Sequence, residues 1–231
     1  MSDKVKGRII LELEYKKFPF EERTLFLTGL TFVGGYINTY AFIARGGSFV
    51  SFHTGNLVRL SMAAAEYNMP LFFKHLVPVL MCILGGCIAE IMRICIKKSD
   101  WRFYVLMAEA FYLVLLGILP HSADKFLNYS LSILAGAHFY LFRSWEGMPY
   151  NVSASTGNTR SFAVCFTDSW AMRKAEMMRF LRYSVLFLSF PIGAFIGAII
   201  SNNINEFASW PVAALLVIWA FMYRKNFKVR N

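Results

Sequence analysis

Residues 50–56 read VSFHTGN and residues 152–158 read VSASTGN. The two phrases put His53, Thr54, Gly55 and Asn56 in one place and Ser155, Thr156, Gly157 and Asn158 in another. These types suit recognition of a small molecule. Threonine and asparagine supply hydroxyl and amide donors and acceptors, and glycine admits close backbone approach. Val-Ser suits a short extended strand, and Thr suits the N-cap of a helix that follows. A half-helix begun there aims its free N–H groups and positive dipole end at the space before it, chemistry that fits a small anion or polar solute. The bland alternative is a pair of capped half-helices that merely complete the core.

A second set is ionisable. Glu90 and Glu109 lie within apolar runs, where an ionised carboxylate is costly without a partner. Arg59 and Arg160 follow the two phrases and are the candidate partners, Glu90 with Arg160 fitting best by depth. Proton coupling and a structural ion pair are equally open for this set. His53 and His138 fit either a pH-sensitive role or a hydrogen-bonded packing role. The four cysteines (Cys82, Cys87, Cys95, Cys165) form no CxxC pair and read as small buried hydrophobes. No HExxH, GxSxG, phosphate-binding loop or paired metal-ligand spacing is present, so the expectation is a protein that is not an enzyme and takes no metal or cofactor.

The elements that must position these residues are set by composition. Hydrophobic residues make up 57% of the 231 and charged residues 16%, far from the soluble norm. Apolar runs suited to a bilayer core of about 20 helical residues lie at Thr24–Ala44, Leu76–Met92, Phe103–Leu119, Phe126–Phe142, Tyr183–Ser201 and Phe207–Tyr223. No cleaved signal peptide is expected, because the first run is long enough to span and stay. Residues 9–14 (IILELE) fit either a short interfacial helix or a solvated tail.

The net charge of +10 is a topology signal and not a nucleic-acid footprint. The bases cluster at span ends: Lys4 to Arg23, Arg93 to Arg102, Arg173 to Arg182 and Arg224 to Arg230. All four clusters fall on the cytoplasmic side only if each phrase dips in and returns to the side it came from. Isolated bases such as Arg45, Lys74 and Lys125 are then left outside. The expected fold is an all-α polytopic membrane protein with six full spans plus two re-entrant strand/half-helix elements. Each half has three crossings, so the halves form an inverted repeat, residues 24–120 and 126–223, between cytoplasmic tails 1–23 and 224–231. Gly34 matches Gly136 and the TGN triplets coincide. With a six-residue insertion, Gly85 matches Gly193 and Ala89 matches Gly197. Inverted repeats with broken helices are a transporter architecture.

The run GGYINTYAF, then FVSFHTGN and the later STGN, resemble the YoaK-like family of bacterial membrane proteins (domain-of-unknown-function family 1275) over most of the chain after the N-terminal tail. The resemblance implies a membrane fold in the bacterial inner membrane and names no substrate. Related proteins often carry Asp where this chain has Asn38. The functional expectation is transport of a small polar or anionic solute through a midplane site between two opposed half-helices, with proton coupling as an added feature. A channel, or an intramembrane enzyme or receptor, is the alternative. The expected partners are membrane lipid and that solute, with room for a homo-oligomer and none for nucleic acid.

Overall fold

The computed structural model describes residues 18–96, 101–153, 155–171 and 174–230. The 9–14 segment and the basic residues Lys97, Lys98 and Arg173 lie outside the described residues. The described residues are all-α apart from one hairpin of two-residue strands. The helices are α1 (Thr24–Ala44), α2 (His53–Ala65), α3 (Met69–Cys95), α4 (Trp101–Leu116), α5 (Asp124–Leu141), α6 (Thr156–Ala171), α7 (Lys174–Ile204) and α8 (Ser209–Arg230). The hairpin pairs β1 (Ser144–Trp145) with β2 (Met148–Pro149), antiparallel. Its turn residues Glu146 and Gly147 both have positive φ, 47° and 80°, as a two-residue mirror-image turn requires.

Among the described residues, three stretches are long and apolar enough to cross a membrane: Thr24–Ala44, Met69–Cys95 and Glu176–Asn226. The last contains α7 and α8 on either side of a 3-10 turn, Asn205–Ala208. They mark the chain as a helical membrane protein. α1 runs 21 residues without a charge and stops where Gly46 and Gly47 take positive φ. α3 starts on Asn68, whose side chain accepts from Leu71 N–H, with a proline in the first turn. Inside α3, Pro78 has no N–H for the carbonyl of Lys74, and the Ser48 hydroxyl donates to that carbonyl at 3.1 Å.

The helices pack in a reciprocal pattern. α1 lies along α7 and α5 lies along α3; α2 packs on α3 and α6 on α7; α4 packs on α8. In lipid, such pairing is driven by close van der Waals fit and not by exclusion of water, so small residues decide it. A Cβ at Gly35 would collide with the carbonyl oxygen of Phe190, and one at Gly193 with that of Phe32. The α3–α5 pair repeats this arrangement: Gly136 meets the carbonyl of Cys82, and Gly85 that of Ile133. Packing therefore equates Gly136 with Gly35, one residue from the Gly34 match read off the sequence. Gly34 serves another contact, against the carbonyl of Val152. On the outside, α3 exposes Leu80, Ile83, Ile91 and Ile94, and α7 exposes Val185, Ile192 and Phe195, apolar faces that suit acyl chains.

Two expectations about the phrases need correction. Val50–Ser51 and Val152–Ser153 are bends, not ladder strands. Their backbone donors are taken by side chains: Ser51 N–H and Phe52 N–H donate to Asn38 Oδ1 at 3.1 and 3.2 Å, and Ser153 N–H to Asn151 Oδ1 at 2.9 Å. Nor is Thr54 a cap. α2 begins one residue earlier, with Phe52 at the N-cap position and no side-chain cap bond. Thr156 is no cap either, being the first residue of α6 where Thr54 is the second of α2.

Candidate functional site

The two bent segments meet. The Ser51 hydroxyl donates to the Ser153 carbonyl oxygen at 3.2 Å, with Val50 and Val152 fully buried beside it. Asn38, on α1, holds the first segment with all of its hydrogen-bonding capacity. Besides accepting from Ser51 and Phe52, its amide nitrogen donates to Ser51 Oγ at 2.7 Å and to the Gly34 carbonyl at 2.8 Å. An aspartate could accept both backbone N–H groups but could not donate to the Gly34 carbonyl, so Asn38 acts here as a structural clamp.

The two TGN asparagines repeat one device. Asn56 Nδ2 donates to the Phe49 carbonyl at 2.6 Å, and Asn158 Nδ2 to the Asn151 carbonyl at 2.7 Å, each closing the loop seven residues back. Asn158 Oδ1 also accepts from Asn151 N–H at 3.1 Å. The next helix anchors each asparagine. His75 Nδ1 lies 3.3 Å from Asn56 Oδ1, and the Tyr183 hydroxyl donates to the Asn158 carbonyl at 3.2 Å. Both amides are buried and serve the chain's own loops.

The cavities draw on more of the two phrases than the asparagines. One of about 480 Å³ is lined by His53 and Thr54 from the first phrase, by Asn151, Thr156 and Gly157 from the second, and by α3 and α5. Another of about 630 Å³ takes Ser155 and Thr156 together with Asn38 and Thr39 of α1 and Pro191 of α7. A third, about 690 Å³, includes Thr156, Gly157, Asn158 and Arg160. Both His53 ring nitrogens are buried without a hydrogen-bond partner. Gly55 is tucked under rings instead: a Cβ there would lie 2.7 Å from Phe52 and 3.4 Å from Phe49. Gly157 faces open space.

The ionisable set is arranged differently from the sequence expectation. Glu90 pairs with Arg93 on its own helix, at 2.6 Å on the exposed surface, and not with Arg160. An i, i+3 neighbour reaches it without any tertiary contact. Arg59 stacks over the Phe42 ring at 4.9 Å, and Arg160 lines the third cavity. Glu109 pairs with no arginine; His138 Nδ1 lies 2.7 Å from its carboxylate, both side chains 2% exposed. Among the described residues, no group of three His, Cys, Asp or Glu side chains is placed to hold a metal ion.

Sequence reasoning missed the partners His75 and Tyr183. They occupy the same register as Gly85 and Gly193, but their types differ, so repeat matching gave no signal. It also set Arg45 aside as an isolated outer base. Arg45 is fully buried and donates to Tyr40 Oη at 3.0 Å, to Asp124 at 2.8 Å and to the Leu116 carbonyl. At the opposite end of α1, Thr24 and Arg182 donate to Glu146 at 3.2 and 3.1 Å.

A sequence profile of the family described as "Protein of unknown function (DUF1275)" matches residues 26–222. No curated protein and no solved structure matches the chain.

Proposed function

The chain belongs to the DUF1275 family, and on the geometry of the crossing we propose that it carries a small polar or anionic solute across the bacterial inner membrane. The observation that carries the reading is the cavity of about 480 Å³ whose wall is drawn from both phrases, His53 and Thr54 with Thr156 and Gly157. Hydroxyls, an unpartnered imidazole and two helix starts converge on it, donors suited to an anion or a polar solute.

In this reading α1, α3, α4, α5, α7 and α8 are six full spans, and α2 and α6 are half-helices returning to the side they came from. Contacts at the two ends support it. Trp145 donates to Thr24 at the start of α1, and Arg45 just past its end binds Asp124 at the start of α5, so α1 and α5 run in opposite directions. The reciprocal helix pairs, the matched glycines and the matched asparagine loops support an inverted repeat. Arg102, Arg179, Arg182 and Arg224 sit at the end of the bundle that holds Glu21 and Glu146, the end the positive-inside rule makes cytoplasmic. α4, with 16 residues, measures about 24 Å, and in this reading it is the shortest span, shorter than a core of about 30 Å, with Trp101 as an aromatic anchor near one interface.

The test is flux. The purified protein in sealed vesicles is offered chloride, formate, bicarbonate and small amides in turn. Uptake that saturates with solute, and that falls in a paired Thr54→Val and Thr156→Val variant, is the expected result. Non-saturating current would make the pathway a channel. Chemical turnover without flux would make the protein an intramembrane enzyme and overturn the proposal.

A further inference from the structure

Glu109 on α4 and His138 on α5 form the most deeply buried pair of ionisable side chains described, 2.7 Å apart and each 2% exposed. Nδ1 is used on the carboxylate, and Nε2 is buried without any partner. Both residues border a void of about 10 Å³, whose wall also includes Asn38, Ser51 and Ser153. That is the place where the two bent segments touch. A void of this size holds about one water, and its polar neighbours are the groups that fix the crossing.

Among the described residues, the groups around the pair include no arginine or lysine paired with it. α1 contributes Val33, Gly34, Ile37 and Asn38 to the void, and the bent segments contribute Val50 and two serines. On α5 the Phe142 ring lies edge-on to His138, centroids 5.6 Å apart. α3, packed along α5, brings Cys82 as a buried thiol and keeps Glu90 on the surface with Arg93. α8, packed on α4, carries Arg224 over the Phe103 ring. With a neutral imidazole donating from Nδ1, the pair bears one uncompensated negative charge in a low-dielectric site, a costly state. One added proton makes it neutral, either as imidazolium–carboxylate or as imidazole–carboxylic acid.

We propose that Glu109 and His138 together bind one exchangeable proton, and that its occupancy sets the closeness of the Ser51–Ser153 crossing. The proton comes from water on one face, enters through the void to the free ring nitrogen, and leaves to water on the other face. No covalent bond is formed or broken apart from those to the proton. Loaded, the pair is neutral and the dry, closed crossing is stable. Unloaded, the negative charge favours entry of water and loosening of the contact. The use of this site for coupling rests on the transport reading; its binding of a proton does not.

The experiment has two arms. In the first, infrared difference spectra are recorded between about pH 5 and pH 8, the range in which imidazole titrates, on the full protein in phosphatidylethanolamine/phosphatidylglycerol vesicles without solute. A carboxyl or imidazolium signal that is lost in Glu109→Gln and altered in His138→Gln, and that persists in Glu90→Gln, is expected. Glu109→Asp, which keeps the carboxylate, restores it if Gln at 109 perturbs folding. A spectrum indifferent to 109 and 138 overturns the proposal. The second arm follows solute uptake against pH. The wild type changes by about tenfold per pH unit on the limb set by one proton, and the Glu109→Gln variant is flat. Uptake with unchanged pH dependence in Glu109→Gln and in His138→Gln refutes the coupling role while leaving transport standing. A titrating pair in a protein that moves none of the solutes refutes transport and leaves the proton site standing.

Discussion

Ser51 donates its hydroxyl proton to the backbone carbonyl of Ser153 at 3.2 Å, so two residues 102 positions apart join the halves of the chain at one contact. With Cys82, Cys87, Cys95 and Cys165 replaced, a Ser51→Cys, Ser153→Cys variant should be cross-linked in membranes by a short bifunctional thiol reagent. Each single variant should not. Failure to cross-link in a protein that is inserted and thermally stable would separate the bent segments.

The asparagine loops should be structural first. Asn56→Ala takes the amide partner from the Phe49 carbonyl and from His75, and Asn158→Ala removes two hydrogen bonds to the Asn151 backbone. A buried polar group left unsatisfied costs about 1–3 kcal/mol. Aspartate at either position should rescue poorly, since it has no N–H for the carbonyl it must cover. Melting in detergent measures this. A full rescue by aspartate would mean that the amide nitrogen is dispensable.

Glycine substitutions should separate packing from the cavity. Gly35→Ala and Gly136→Ala drive a methyl into a backbone carbonyl and should destabilise by about 1–3 kcal/mol. Gly55→Ala meets the edge of a movable ring and should fall below that. Gly157→Val adds its bulk in open space that borders two cavities, so stability should change by less than about 0.5 kcal/mol while uptake falls. Normal uptake in a stable Gly157→Val protein would remove this stretch from the pathway.

Arg45 should prove to be a structural knot. Its guanidinium reaches Tyr40, Asp124 and the Leu116 carbonyl from a fully buried position, joining the ends of α1, α4 and α5. Arg45→Ala takes one of Asp124's two partners, His121 staying 3.0 Å from Oδ2, and uncovers the Leu116 carbonyl, and a buried polar group left unsatisfied costs about 1–3 kcal/mol. Arg45→Lys should restore little, because one ammonium cannot reproduce the fork. Unfolding midpoints of the two variants and of Asp124→Asn give the answer; a lysine variant as stable as the wild type would contradict it.

Topology has a direct check. A cysteine at Asn205, in the turn between α7 and α8, should react with an impermeant reagent added outside cells, and one at Asn226 only after permeabilisation. Labelling of Asn205 only from the cytoplasm would reverse the orientation.

The sequence by itself determined the helices. An uncharged run between Arg23 and Arg45 has no other stable state in lipid than a helix, and Thr24–Ala44 forms with the bounds its composition sets. The two phrases also announced themselves, because Ser, Thr, Gly and Asn interrupt apolar patterning only where backbone must bend or be met. Bases at run ends carry only an expected sidedness, which the labelling at Asn205 and Asn226 tests. Which groups answer one another was decided only by tertiary structure. Periodicity holds no information about whether Glu109 faces an arginine or His138, since that depends on how α4 and α5 pack. Glu90 is satisfied by Arg93 one turn away on the surface, so its place in an apolar run implied no distant partner. The strand expected at Val50–Ser51 gave way to a bend because Asn38, thirteen residues earlier, takes the N–H groups that a ladder would need. The one-residue slip between the glycine that packs and the glycine that meets Val152 has the same origin. Close packing selects among neighbouring small residues by the carbonyl each one faces, and sequence spacing does not record that direction.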